Sequence, residues 1–259
     1  MPHVVGVSAV TLGQLHPSAL QADLVAMLEA TRRAERDLFR LLTRDTREAH
    51  GADGGWSPKD VLAHMAAWRS IEARRLEAAA GRDSGILAGD PAPNDPIYES
   101  NALLHARYAA LSWEVVAGEA DASIEALVQA IGHSSTDVLC ECDGTFAGIG
   151  ANGANHAMGH LTDIAELAGG LKRFDEFAQE VESILRRGHV PPRDAGVILY
   201  NIACHRALSG ELNEARRLLR NAFARHHVLL ESAREDPDLA SVRDELAALA
   251  QPRERSADR

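Results

Sequence analysis

Leu20, Leu24, Met27, Thr31, Ala34, Leu38 and Leu41 recur at alternating spacings of four and three. That rhythm draws one apolar seam along a long helix, which predicts a helix over residues 17–48 packed in a bundle. Glycines between positions 51 and 55 stop it. A second helix opens at Ser57-Pro58-Lys59-Asp60. Ser57 suits the N-cap, Pro58 the first helical position, and Asp60 both caps and complements the dipole. Val61, His64, Trp68 and Ile71 then share one stripe to about residue 80.

Residues 81–96 carry three prolines and three glycines without helical period, and predict a long loop. Helices follow over about 95–110 and, behind Ser112 as N-cap, to about 131. The glycine-rich stretch 145–153 leads into a helix over about 154–167, which Gly169-Gly170 ends. Both glycine-bearing stretches would border a site on the helices they flank, with roles in substrate access. Further helices are expected over 174–187, 194–208 and 211–224. No run of strand period stands out, so the chain reads as all-α. The expected organisation is a tail (1–16), an antiparallel four-helix bundle (17–171), a helical-hairpin region (172–250) and a second tail (251–259).

Composition narrows the function classes. Aromatics make up only 4% of the 259 residues, so Leu, Ala, Val and Ile must build the core. Net charge is −11, with 38 acidic against 27 basic residues, which argues against a phosphate backbone as partner. No apolar run approaches the ~20 residues of a membrane span. Three cysteines (Cys140, Cys142, Cys204) are too few for a disulfide framework. Together with an N-terminus lacking a basic, then apolar, leader pattern, they point to the cytoplasm. Cys140 and Cys142 stand without a second ligand pair at finger spacing, and read as ordinary thiols at a helix end.

Twelve histidines need weighing. Seven fall at termini, turns or helix ends, where solvation or capping accounts for them. His105 and His205 lie in helices with no partner nearby in sequence. His156 and His160, four apart in ANHAMGHLTDI, project from one helix face and can chelate one divalent ion. His64 sits on the inward stripe of the second helix. Three inward imidazoles are costly to bury unpaired, and a metal ion would satisfy them. Three ligands also leave a fourth position open for water or substrate. Zinc suits such a set, with nickel, iron or manganese as alternatives. Asp163, three residues after His160, and Glu72, eight after His64, are candidate supporting carboxylates or general bases. Ordinary surface charge is the competing account of both.

The segment GWSPKDVLAHMAAW, followed about ninety residues on by HAMGH, resembles the DinB-like superfamily of metal-binding four-helix bundles. The resemblance covers about residues 18–170, and NDPIYESN at 94–101 resembles the third-helix region of related bundles. It implies that His64, His156 and His160 bind a divalent cation. Relatives include mycothiol-dependent isomerases and transferases, and genotoxin-resistance bundles of the ClbS/DfsB type; the complete triad points to the metal-dependent branch. It thus implies a low-molecular-weight thiol such as mycothiol as a cofactor. Separately, residues 196–224 resemble a tetratricopeptide unit, with Leu199, Ile202, Ala203, Ala215, Leu219 and Ala222 at its apolar and small positions and Gly210 in its turn. Arg206 stands where that motif has an aromatic, and His227 where proline is common.

The expected activity is that of a metal-dependent enzyme on a small molecule, by thiol-dependent transfer or isomerisation, or by hydrolysis, in detoxification or resistance. The rival readings are a non-catalytic toxin- or small-molecule-binding protein, and an interaction module using its C-terminal region for a protein partner or homodimer. Neither nucleic acid nor a membrane is an expected partner.

Overall fold

The computed structural model describes residues 17–51, 55–82, 87, 89–92, 95–140 and 151–250. All regular structure among them is helical. Helix α1 (Pro17–Leu41) is followed by the short α2 (Arg44–Glu48), and then by α3 (Pro58–Ala79), α4 (Ile97–Tyr108), α5 (Trp113–His133) and the short α6 (Thr136–Cys140). After the described turn Ala151–Asn155 come α7 (His156–Ala168), α8 (Leu171–Leu185), α9 (Pro192–Leu208), α10 (Leu212–Arg225) and α11 (Leu229–Glu235). A 3-10 segment (Pro237–Glu245) and α12 (Leu246–Leu249) end the described chain.

The seam of α1 buries Leu20, Leu24, Met27, Thr31, Ala34 and Leu38. Leu41 departs from it and is 42% exposed, because the helix stops there instead of running to residue 48. Thr43 adopts extended backbone and its side chain accepts from Thr46 N–H, capping a separate helix. At α3 the expected start is realised as a capping box. Ser57 accepts from Asp60 N–H, while the Asp60 carboxylate accepts from Ser57 N–H and from its Oγ.

Helix α1 packs against α5 and α7, and α3 packs against the same two, so these four enclose an apolar interior. Across it runs a buried ion pair: Arg69 of α3 donates two hydrogen bonds to the Glu35 carboxylate of α1, and its Nε donates to Ser123 Oγ of α5. Each charge is less than a tenth exposed, so the pairing ties three helices in one register. Helix α4 lies over α3, where Ala67, Trp68, Ile71 and Leu104 form a small separate cluster.

Residue 171 separates two helices but not two cores. Gly169 takes the left-handed conformation (φ 63°) that ends α7. A Cβ on Gly170 would stand 2.6 Å from Leu38 Cδ2, so a larger residue at this turn would have to push the buried Leu38 side chain aside. Helix α8 then lies along α1, burying Phe174, Phe177, Val181, Ile184 and Leu185 in the same apolar interior that holds Leu20 to Leu38. Buried Asp23 of α1 fastens the far end, accepting from Arg187 Nη1 at 2.9 Å and facing His189 Nδ1 at 2.8 Å. Helices α9 and α10 form a close hairpin with Ala203 and Ala215 fully buried.

Candidate metal centre

The capped start of α3 aims His64 inward, and α7 begins at His156, so the pair spaced by four residues occupies that helix's first turns. The three imidazoles converge edge to face. His64 Nε2 lies 2.9 Å and His160 Nε2 3.1 Å from His156 Nε2, with ring centroids 4.8–5.1 Å apart. The Trp56 ring, one residue before the cap of α3, packs 4.9 Å from His64 and stacks at 5.3 Å on His105 of α4.

Burial sets the charge of this group. It pushes the His64 pKa down to about 3, with the facing His160 adding to the effect. His156 is held well below the ordinary value, chiefly by burial, then by His160, His64 and the Arg69 guanidinium. Burial lowers His160 too, against the opposing pull of the Asp163 carboxylate. All three rings are therefore neutral near pH 7, the form in which imidazole offers a lone pair to a metal.

Hydrogen bonding among the rings does not satisfy them. His156 Nε2 carries either one proton or one lone pair, yet two other Nε2 atoms crowd it. A divalent cation accepting one lone pair from each ring resolves this conflict. Tetrahedral zinc with Zn–N near 2.05 Å needs N···N edges of about 3.3 Å, a few tenths wider than the two contacts quoted. The donor set thus fits zinc or another imidazole-binding ion. In that tautomer each Nδ1 bears the proton. The Nδ1 atoms of His64 and His156 are buried without an acceptor among the described residues, and the Trp56 ring packs on His64.

The triad opens on a pocket of about 310 Å³. Trp56, Trp68 and Ile97 form its apolar walls; Asn101, Asn155 and Asn201 supply its polar groups; Gly159 lies between the histidines of α7. Neither Asp163 nor Glu72 is among these residues. Asp163 lies on the exposed face of α7, one turn beyond His160, and Glu72 is buried in α3.

Several sequence expectations meet the structure here. His105 and His205, which have no partner nearby in sequence, meet groups from elements distant in sequence. His105 stacks on Trp56 and lies 3.7 Å from Asp60, while His205 Nε2 stands 2.9 Å from Asp175 of α8. Most of 145–153, much of 81–96 and Cys142 fall outside the described residues. Cys140 is partly buried and Cys204 buried. The second grouping of ligand-type atoms, Cys204 with Asp236 and Asp238, is accounted for locally: the Asp236 carboxylate caps the 3-10 segment and accepts from Tyr200 Oη. Of the pocket residues not singled out as ligands, Ile97 and Asn101 lie in or beside the NDPIYESN segment, and Asn155 directly precedes the histidine pair. Asn201 carries no sequence signal of its own.

No helix among the described residues is long and apolar enough to cross a membrane. No protein-family profile, no curated protein and no solved structure matches this chain.

Proposed function

We propose that the protein is a metal-dependent enzyme acting on a small molecule, of the kind its DinB-like histidine pattern implies. One observation carries the reading: three neutral imidazoles from two helices converge through Nε2 at the wall of an accessible pocket. His64, His156 and His160 would hold a divalent ion, zinc by preference. When bound, such an ion would supply Lewis acidity, which makes a water or a thiol nucleophilic near neutral pH.

The chain's own residues supply the rest. Burial keeps the ligands unprotonated, Trp56 and Trp68 shield the polar centre from water, and the three carboxamides orient what enters. Hydrolysis and thiol-dependent transfer or isomerisation, with a low-molecular-weight thiol such as mycothiol, both belong to this reading. So does a cytoplasmic location. The tetratricopeptide-like hairpin enters it as a wall of the pocket, through Asn201 of α9.

Elemental analysis of protein purified without chelator tests the proposal, beside the three single His→Ala variants. About one divalent ion per chain is expected, and its loss in His156→Ala, since two imidazoles bind far more weakly than three. A wild-type protein that remains metal-free after zinc addition and dialysis refutes it. Metal-dependent turnover of a thiol-conjugated probe, against simple ester hydrolysis, then separates the two reaction classes.

A further inference from the structure

Three carboxamides reach the pocket, each from a different element: Asn101 from α4, Asn155 from the turn before α7, and Asn201 from α9. Hydrogen bonds fix what each has left to offer. Trp68 Nε1 donates to Asn101 Oδ1 at 3.0 Å, which leaves the Asn101 Nδ2 protons. Asn201 Nδ2 donates to Asn155 Oδ1 at 2.6 Å, which leaves Nδ2 of Asn155 and Oδ1 of Asn201. The pocket therefore presents two N–H donors and one carbonyl acceptor, and two indoles stand beside them. Its described lining holds no carboxylate, lysine or arginine.

We infer that Asn201 is a specificity-determining residue, and that the pocket takes an uncharged small molecule with an amide or hydroxyl group beside an apolar face. The amide or hydroxyl donates to Asn201 Oδ1 and accepts from Asn155 or Asn101, while the apolar face lies against Trp56 and Trp68. A cationic group there would lose its hydration without gaining a counter-charge, and an anionic one would find a counter-charge only at the metal ion itself. A site built to hydrogen-bond its ligand discriminates strongly against analogues lacking the matching group. The inference rests on the preceding reading only in placing the ligand beside the histidines. It makes the C-terminal hairpin part of the binding site, held to the metal-bearing helix by the Asn155–Asn201 bond.

Benzamide and benzamidine test this as shape-matched probes, one neutral and one cationic, neither presenting a carboxylate to a metal. Trp56 and Trp68 report binding by fluorescence, with Trp113 of α5, packed on Phe39 of α1, as background. Benzamide is expected to bind the wild type saturably and more tightly than benzamidine. Asn201→Leu should weaken benzamide about tenfold. Asn201→Asp should reverse the preference toward benzamidine, which a merely structural role for the residue would not do. Absent benzamide binding, unchanged affinity in Asn201→Leu, or equal loss of both probes in Asn201→Asp overturns the inference. Elemental analysis of the same preparations keeps the two readings apart. Metal-free protein with Asn201-dependent binding sinks the metal reading alone; metal-loaded protein with Asn201-independent binding sinks this one alone.

Discussion

Acidifying the metal-free protein challenges the histidine triad directly. Its rings are neutral in the fold because burial lowers their pKa values, His64 to about 3. In the unfolded chain each would titrate near 6.5. Below that value the unfolded state binds protons that the folded state refuses, so stability falls as pH falls from about 6.5 toward the folded pKa. For His64 alone, the loss between about pH 7.5 and pH 5 is on the order of 2 kcal/mol. His156 and His160, lowered chiefly by burial as well, add losses of the same sign. Urea unfolding in chelator at several pH values, on wild type and His64→Leu, measures this. The variant should lack about 2 kcal/mol of the acid-induced loss, whatever its stability at neutral pH. Equal loss in both proteins would show that His64 protonates freely in the fold, and the account of the triad as a buried, neutral ligand set would fall with it.

Arg69→Met should destabilise by about 3–5 kcal/mol, because it strands the Glu35 carboxylate in the interior; denaturant unfolding reads this, and a loss below 1 kcal/mol would mean the pair is solvated. Arg69→Met with Glu35→Leu together should recover most of that loss. Phe174→Ala, at a fully buried site of α8 against α1, should cost about 3–5 kcal/mol. Ending the chain at residue 171 removes, with the rest of the C-terminal region, the five large side chains that α8 buries in the shared interior, each worth about 1.5–3 kcal/mol. Residues 1–171 should accordingly lack a cooperative thermal transition by circular dichroism, and a wild-type-like transition would establish an independent bundle.

What could be read from the sequence was local. The capping of α3 needs only Ser57, Pro58 and Asp60, neighbours whose groups must meet once a helix starts there. The His156–His160 pairing needs only a helical pitch. His64 joined them through its place on an apolar stripe, which says that it faces inward but not what it meets. The break at Thr43 stayed hidden because no glycine or proline marks it, and a side-chain hydrogen bond to Thr46 caps the new helix there. The partners of His105, His205 and Asn201 were equally hidden, since each lies on another element and no spacing encodes that contact.

The position of Arg206 shows why the C-terminal hairpin does not stand alone. The tetratricopeptide pattern expected from the sequence has an aromatic at this position. Here the guanidinium is buried and donates to Asp175 of α8 and Glu211 at the hairpin turn, beside His205 facing the same Asp175. A buried charge needs paired oxygens, and the nearest outside the hairpin belong to α8. That helix in turn lies along α1. Arg206 thus ties α9 to α8, α8 packs on α1, and α9 carries Asn201 to the pocket. A hairpin built to recruit a peptide would gain from an open face. Here α9 packs on α7, on α8 and on the turn before α7, which is the arrangement expected if its role is to complete the binding site.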